Sequence, residues 1–348
     1  MLIYLRDRRL QRFGEMVSPR NKTLTCTEQE MAALRNSISC VYSRLKLREM
    51  PSKLIAGDFF EVAKFLPHGF VDLLFLDPPY NLSKQFGKYS FSKKPKKDYA
   101  AWFDSVLSLL QKSLKPTATI YVCADWQTSN IIYPILEQHY FVRNRVTWER
   151  EKGRGAKRNW KNNTEDIWFC TMSQEYHFDV DAVKIRRTVL APYRSNGQPK
   201  DWQATSDGNV RLTHPSNIWT DLTVPFWSMA ENTPHPAQKP EKLLAKLILA
   251  STKQNDFVFD PFLGSGTSVV VAKKLNRNWC GIDINQEYLC WAAKRLIAAD
   301  ESSTIQGYED GVFWERNSIR KLRSREVQSA YEIEAVSEGA PQQDRLLC

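Results

Sequence analysis

The tetrapeptide Asp77-Pro78-Pro79-Tyr80 combines residues that suit the activation of an amine. A carboxylate at Asp77 accepts a hydrogen bond from one amine proton, and the carbonyl oxygen of Pro78 accepts one from the other. Two such acceptors localise the nitrogen lone pair, which in an aromatic amine is otherwise delocalised into the ring. The two prolines stiffen the backbone, so the acceptors are preorganised, and the Tyr80 ring offers a surface on which a nucleobase stacks. The tetrapeptide therefore predicts chemistry at an exocyclic amine.

A second motif, residues 260–267 with the sequence Asp-Pro-Phe-Leu-Gly-Ser-Gly-Thr, predicts a site for a nucleoside-bearing cofactor. It follows the apolar run Phe257–Phe259, and Asp283 ends the next apolar run. Glycine lets the backbone approach a ligand closely, and an acidic residue at the end of the following strand bonds ribose hydroxyls in nucleotide-binding βαβ units. A simple tight turn also uses glycines in this way, so the glycine pair alone leaves both interpretations open.

The elements around the two motifs alternate between apolar runs of strand length and segments with helical spacing. Such alternation predicts an α/β protein with a parallel sheet. The predicted strands are Leu54–Ala56, Val71–Leu76, Ala118–Cys123, Phe141–Trp148, Ile167–Cys170, Phe257–Phe259 and Trp279–Ile284. The predicted helices are Phe59–Leu66, Tyr99–Leu114, Ile131–Gln138, Pro240–Ser251, Thr267–Leu275 and Gln286–Ala298.

In this order, the two motifs resemble those of the DNA amino-methyltransferases of the permuted class β, whose catalytic motif precedes the cofactor motif. The resemblance covers residues 53–300. It implies a doubly wound, Rossmann-like methyltransferase sheet with helices on both faces, S-adenosylmethionine as cofactor, and a flipped-out target nucleotide in double-stranded DNA. Asp at the first position of the tetrapeptide is typical of adenine enzymes, whereas Ser marks most cytosine-amine enzymes. We therefore expect an N6-adenine methyltransferase of the kind found in type II restriction-modification systems.

Two alternatives to this function stay open. One is a cytosine N4 methyltransferase on the same scaffold. The other is a DNA-binding module that has kept the fold without catalysis, which is disfavoured because both motifs are intact.

The resemblance also implies which residues contact the cofactor. The glycine-rich motif lines its methionine and ribose region, and Asp283 bonds the ribose. The segment His235–Pro240 resembles a family segment beside the methionine end, with Ala237 in place of a threonine. Asp58 resembles a family residue that contacts the adenine of the cofactor, although capping of the next helix is an alternative role. The predicted cofactor set is Asp58, Asp77, Lys239, Asp260, Pro261, Phe262, Gly264, Ser265, Gly266, Thr267 and Asp283.

The charge distribution predicts a polyanionic partner, because the net charge is +10 and basic residues cluster near the catalytic motif. Six lysines lie between Lys84 and Lys97. Cations that neutralise phosphates release counterions, which favours DNA binding, although a solvated face is the alternative. The predicted DNA contacts are Lys84, Lys88, Lys93, Lys94, Arg154, Arg158, Arg186, Arg187 and Arg211, of which the last three are candidates for reading base edges.

The domain organisation follows from the positions of the motifs. We expect an N-terminal helical extension over 1–52, the catalytic half over 53–178, and an irregular insertion over 179–234 that serves as target-recognition region. The cofactor-binding half follows over 235–300, and a charged, partly disordered segment over 301–348.

The remaining composition predicts an intracellular protein without metal. The seven cysteines and five histidines show no metal-like pairing, and scattered cysteines fit a reducing cytoplasm. No apolar run approaches the roughly 20 residues of a membrane span. We therefore expect a cytoplasmic location in a prokaryotic cell, no membrane contact, and leave a homodimer open.

Overall fold

A computed structural model describes residues 19–86, 89–150, 157–189, 193–205 and 208–316. Its strands are β1 (Ile38–Ser39), β2 (Lys53–Ala56), β3 (Val71–Leu76), β4 (Lys84–Phe86), β5 (Tyr89–Phe91), β6 (Leu114–Ala124), β7 (Phe141–Glu149), β8 (Thr164–Thr171), β9 (Ile185–Thr188), β10 (Arg194–Ser195), β11 (Gln198–Pro199), β12 (Gln203–Thr205), β13 (Gly208–Thr213), β14 (Ile218–Trp219), β15 (Phe257–Asp260), β16 (Asn278–Asp283), β17 (Tyr308–Glu309) and β18 (Val312–Trp314). Its α-helices are α1 (Glu28–Leu34), α2 (Phe59–Val62), α3 (Lys96–Gln111), α4 (Trp126–His139), α5 (Glu241–Ser251), α6 (Thr267–Lys274) and α7 (Gln286–Glu301).

Within the described ranges, a nine-stranded central sheet has the order β1-β2-β16-β15-β3-β6-β8-β7-β14. Its neighbouring strands are parallel except where β8 pairs with β6 and β7. Successive side chains of a strand point to opposite faces. In β3, Leu73 and Phe75 therefore join a core with α5, α6 and α7, whereas Leu74 and Leu76 join a second core with α2, α3 and α4. This two-faced packing confirms the predicted doubly wound α/β fold.

The strand order reverses between β15 and β3, because β15 leads through α6 to β16 on one side and β3 leads through α3 to β6 on the other. Open α/β sheets bind ligands outside the carboxyl ends of their strands at such a switch point. Asp77 directly follows β3, and Asp260 is the last residue of β15. The fold thus brings the two motifs to the same edge of the sheet.

The segment predicted as an irregular insertion contains regular structure. A second sheet has the order β12-β13-β9-β18-β17, and β14 instead joins the edge of the central sheet beside β7. The prediction missed these strands because they are two to six residues long and mostly half-exposed, so no run of apolar residues marks them. The strands β17 and β18 come from the C-terminal segment that the sequence left unpatterned, and Phe313 of β18 is fully buried. Residues 317–348, which include the part of the C-terminal segment predicted to be disordered, lie outside the described residues.

The described part of the N-terminal segment, residues 19–52, is less helical than predicted. Thr27 and Glu30 form a capping box at the start of α1, but that helix has 7 residues. Ile38 and Ser39 then form β1, which pairs parallel with β2 at the edge of the central sheet. A strand of two residues carries too little pattern for the sequence to reveal it.

Candidate active site

The loop after β3 is held by side chains from α3 and α4. The Tyr99 hydroxyl donates a hydrogen bond to the carbonyl oxygen of Pro79 at 2.9 Å. The backbone N–H of Asn81 donates to the Thr128 hydroxyl at 3.1 Å, and the Asn81 amide exchanges two hydrogen bonds with the backbone of Lys94. These contacts fix the proline-rich loop, and they attach the segment that follows the β4–β5 hairpin to it.

Behind this loop, Asp77, Tyr80, Glu165 and Lys239 form a hydrogen-bonded group that we call the Asp77 cluster. The Lys239 ammonium lies 2.6 Å from Asp77 Oδ2 and 3.4 Å from Glu165 Oε1. The Tyr80 hydroxyl lies 2.9 Å from Asp77 Oδ1 and 2.6 Å from Glu165 Oε1. Because a hydroxyl has a single proton, Tyr80 donates to one carboxylate at a time.

The charges of the Asp77 cluster stabilise each other. Burial alone lowers the pKa of Lys239, but Asp77 and Glu165 together raise it above its usual value. Burial alone raises the pKa of Glu165, but Lys239 and then Arg150, whose Nε lies 3.8 Å from Glu165 Oε2, hold it below its usual value. Burial, followed by the charges of Asp77 and Glu165, raises the pKa of Tyr80 well above its usual value. The Lys239 ammonium therefore lies between the side chains of Asp77 and Glu165, beside a neutral tyrosine.

The buried carboxylate of Asp260 closes the turn that follows β15. It accepts hydrogen bonds from the backbone N–H of Phe262, at 3.0 Å, and from the Ser268 hydroxyl. Burial raises the pKa of Asp260 to about 7. Both of its oxygens are engaged within the turn, so Asp260 shapes the turn in addition to lining the cavity in front of it.

Asp283, at the end of β16, fixes the other side of the same turn. It accepts hydrogen bonds from the backbone N–H groups of Gly264 and Asn285, both at 2.7 Å. Burial raises the pKa of Asp283 to about 6. Gly264 has φ +55°, and a Cβ on it would lie 2.9 Å from Nε2 of His235. Glycine is therefore required here for both the backbone conformation and the space.

Gly266 lies at the start of α6, against α7. It caps α6 with φ +82°, and an added Cβ would lie 2.5 Å from the Cβ of Ala292 on α7. Its close approach is therefore to a helix, and Gly266 does not line the cavity described below.

Arg295 stabilises the turn of residues 261–266 between β15 and α6, which we call the cofactor turn. This buried guanidinium donates to the carbonyl oxygen of Ser265, to the Thr267 hydroxyl oxygen and to Glu241 Oε1, each at 2.9 Å. The Thr267 hydroxyl in turn donates to the carbonyl oxygen of Lys239 at 3.1 Å. One buried side chain thus links the turn, α5 and the segment that carries Lys239.

A cavity of about 500 Å³ lies at the carboxyl ends of β2, β3, β15 and β16. Its volume is in the range of pockets that hold a small ligand. The wall contains the whole predicted catalytic set and, Gly266 excepted, the whole predicted cofactor set. These are Asp58, Asp77, Pro78, Pro79, Tyr80, Lys239, Asp260, Pro261, Phe262, Gly264, Ser265, Thr267 and Asp283.

One part of the cavity wall is aromatic. The ring centroids of Phe59 and Phe262 are 5.4 Å apart, and those of Trp102 and Phe262 are 6.2 Å apart. Asp58 caps α2 by accepting the backbone N–H of Phe60 at 2.8 Å, as its alternative interpretation predicted, and it also lines the cavity. Flat apolar walls with a polar edge suit a nucleobase.

The predicted DNA contacts fall into two regions. Lys84 lines the cavity, and Lys93, Lys94 and Arg158 are exposed. The other region is the second sheet, whose three arginines have protein partners. Arg186 lies over the Trp314 ring at 4.5 Å, Arg187 lies 3.9 Å from Glu315 Oε1, and Arg211 lies 3.2 Å from Asp201 Oδ2. Lys88 and Arg154 lie outside the described residues.

Sequence reasoning missed Glu165, Asn81 and Arg295. Glu165 is in the cavity wall and 4% exposed, but in the sequence it lies two residues before the predicted strand Ile167–Cys170, outside any motif. Its link to Asp77 arises because β8 pairs with β6, which pairs with β3. Asn81, by contrast, directly follows the catalytic tetrapeptide, and this proximity was a usable signal.

Within the ranges that the structure describes, no helix is long and apolar enough to cross a membrane. The same ranges contain no group of three or more His, Cys, Asp and Glu side chains that could hold a metal ion.

Comparison with known proteins identifies similar DNA methyltransferases. A family model described as DNA methylase, for N6 and N4 methyltransferases, matches residues 71–294. The chain is 34% identical over 254 residues to the type II methyltransferase M.HpaI of Haemophilus parainfluenzae, covering 71% of this chain and 74% of the relative. It is 31% identical over 283 residues to the DNA adenine methyltransferase YhdJ of Escherichia coli, covering 77% and 92%.

A solved structure shares the fold. The PvuII DNA methyltransferase, which is cytosine-N4-specific, aligns with a TM-score of 0.53 at 20% sequence identity, covering 70% of this chain and 85% of that one. The matched family range contains both motifs and every residue of the Asp77 cluster. The chain therefore belongs to the N6/N4 family of DNA methylases.

Proposed function

We propose that this DNA methylase transfers a methyl group from S-adenosylmethionine to the N6 amine of adenine in double-stranded DNA. The observation that carries the proposal is that Asp77 and Gly264 of the cofactor turn line the same cavity. The Asp at the start of the tetrapeptide favours adenine, and the relative YhdJ is named an adenine methyltransferase. Type II methyltransferases among the relatives support a modification role in a restriction-modification system.

The residues of the cavity fit the cofactor. Gly264 and Asp283 both line the cavity, and the Asp283 carboxylate is held beside Gly264 by the N–H of that glycine. The Phe59 and Phe262 rings suit a purine, and the carboxylates of the cavity suit a cation. When bound, S-adenosylmethionine supplies a methyl group attached to a positively charged sulfur.

In this proposal Asp77 and the Pro78 carbonyl accept hydrogen bonds from the target amine, which localises the nitrogen lone pair for attack. The loop is already fixed by Tyr99 and Asn81, so little reorganisation accompanies the reaction. A paired adenine hides its amine inside the duplex, so the nucleotide must leave the stack to reach the cavity. Flipping of the target, a homodimer and a cytoplasmic location stay predictions from the sequence.

The identity of the methylated base tests the proposal directly. The protein is incubated with duplex DNA and labelled S-adenosylmethionine, and the DNA is digested to nucleosides. We expect the label in N6-methyldeoxyadenosine. Label in N4-methylcytosine would replace the adenine assignment, and the absence of any labelled nucleoside with a bound cofactor would favour a non-catalytic module.

Asp283→Ala is expected to weaken cofactor binding much more than DNA binding. The substitution removes the proposed ribose contact and also the acceptor for the N–H of Gly264. Titration calorimetry with S-adenosylmethionine measures the first effect, and DNA affinity without cofactor is the control. An unchanged cofactor affinity would leave Asp283 as a residue of the turn alone.

Neutralising Lys84, Lys93 or Lys94 is expected to weaken binding to all DNA sequences about equally. Each lost phosphate contact should flatten the slope of log affinity against log salt by about one unit. Lys253→Gln is the matched control, because exposed Lys253 follows α5 and precedes β15, at the opposite edge of the sheet.

The arginines of the second sheet should behave differently from these lysines. If Arg186, Arg187 or Arg211 reads a base, its replacement should cost about 1–3 kcal/mol at the cognate site and little at random DNA.

For the lysines, an unaltered salt slope after the joint replacement of Lys84, Lys93 and Lys94 would mean that DNA follows another path.

A further inference from the structure

We propose that Glu165 is a positioning residue, which competes with Asp77 for two hydrogen-bond donors and so frees Asp77 to accept the target amine. The inference rests on the proposed function, because it concerns how Asp77 becomes an acceptor. Glu165 itself acts through Lys239 and Tyr80 and contacts no reacting atom.

The distances show the competition. Both oxygens of Asp77 are engaged, one by the Lys239 ammonium at 2.6 Å and the other by the Tyr80 hydroxyl at 2.9 Å. Glu165 Oε1 lies within reach of both donors, at 3.4 Å from Lys239 Nζ and 2.6 Å from the Tyr80 hydroxyl. The Tyr80 hydroxyl is closer to Glu165 Oε1 than to Asp77 Oδ1, so the two carboxylates already compete for its single proton.

The ammonium is the more important donor. A carboxylate in contact with a buried cation attracts an amine proton less strongly, so Lys239 in its present place weakens Asp77 as an acceptor. Because the lysine side chain is flexible, a movement of Nζ of about 1 Å is enough to exchange its short and long contacts. Without a second carboxylate, such a movement would leave a buried ammonium unpaired, at a cost that opposes it.

The surroundings of Glu165 hold its side chain in place while Lys239 moves. It lies on β8, between β6 and β7, and its backbone is in register with Trp148 of β7. Its side chain is 5% exposed, and Arg150 Nε lies 3.8 Å from its other oxygen. The second cation keeps Glu165 charged, so it is ready to receive the ammonium. Entry of the target amine at Asp77 then shifts Lys239 toward Glu165, and departure of the product reverses the shift.

Glu165→Gln tests this role, because it keeps the size of the side chain and removes its charge. Single-turnover methyl transfer with saturating cofactor and DNA should slow by about tenfold to a hundredfold, the usual worth of one charged hydrogen bond. Affinity for the cofactor should stay unchanged, and so should affinity for a duplex whose target base lacks the amine. Glu137→Gln, on the exposed face of α4, is the matched control and should keep the parental rate. A parental rate in Glu165→Gln would overturn the proposal.

A double-mutant cycle with Lys239→Met separates positioning from structural support. Methionine has no ammonium to withdraw from Asp77, so Glu165→Gln should slow transfer far less in that background than in the parent. Losses that simply multiply would overturn the proposal, because a purely structural role does not depend on the charge at position 239.

Binding provides an answer even if Lys239→Met fails to fold. The parent should bind a duplex with the target adenine more tightly than one with purine, which lacks the amine. Glu165→Gln should lose most of this preference, and a preserved preference would overturn the proposal. The proposed function fails separately: a parent that makes N4-methylcytosine refutes the adenine assignment, yet the Glu165 comparisons can still be made with that product.

Discussion

Asp77→Ala is expected to lower the rate of methyl transfer by at least about a hundredfold. Loss of one preorganised polar contact to a reacting group commonly has an effect of this size, and here the contact is the proposed acceptor of the amine proton. The substitution also leaves Lys239 with Glu165 as its carboxylate partner in the Asp77 cluster. Single-turnover transfer of labelled methyl groups to duplex DNA measures the effect without interference from product release.

Asp77→Asn is the matched control for this substitution. It keeps an oxygen acceptor of the same size but removes the charge that pairs with Lys239. We expect an intermediate rate for Asp77→Asn, and both variants should still fold, because Lys239 keeps Glu165 as a partner. A parental methylation rate in Asp77→Ala would show that another group holds the amine.

Arg295→Met is expected to lower the free energy of unfolding by about 3–5 kcal/mol, because it breaks a buried ion pair on one side only. Glu241 would keep Lys274 as its partner, and the Ser265 carbonyl and Thr267 hydroxyl would lose a donor. Such a loss is a large fraction of the 5–15 kcal/mol that is typical of a folded protein. Urea unfolding monitored by circular dichroism measures it.

Cofactor binding should weaken in the same Arg295 variant, since the guanidinium holds the turn that contains Gly264. Arg48→Met, at an exposed position, is the control and should change stability by less than about 0.5 kcal/mol. Parental stability of Arg295→Met would mean that the turn is held by Asp260 and Asp283 alone.

Local sequence patterns were sufficient to predict the two strands of the central sheet that lead into the motifs. The apolar run before Asp77 became β3, and the run before the glycine-rich motif became β15. Buried parallel strands of this kind are apolar on both faces, so they are visible without any tertiary information. The small sheet of β9, β12, β13, β17 and β18 escaped prediction because its strands are short and half-exposed.

The sequence by itself determined where the chemistry would lie. Its motifs named Asp77, Tyr80, Lys239, Gly264 and Asp283, and the alternation of strands and helices implied that the motifs meet at one edge of a sheet. These features are local, because a glycine conformation, a proline-stiffened loop and a strand end each depend on a few consecutive residues.

Only the tertiary structure decided how these residues are charged and paired. Glu165 meets Asp77 through two strand pairings, Arg295 reaches the cofactor turn from α7, and Gly266 faces Ala292 and not the cavity. In the sequence Glu165 and Arg295 are unremarkable positions, and the glycine-rich motif does not show which way Gly266 faces, because burial and hydrogen-bond partners depend on segments far apart along the chain. The physical reason is that a charged side chain acquires its function from the low-dielectric surroundings and the partners that folding provides.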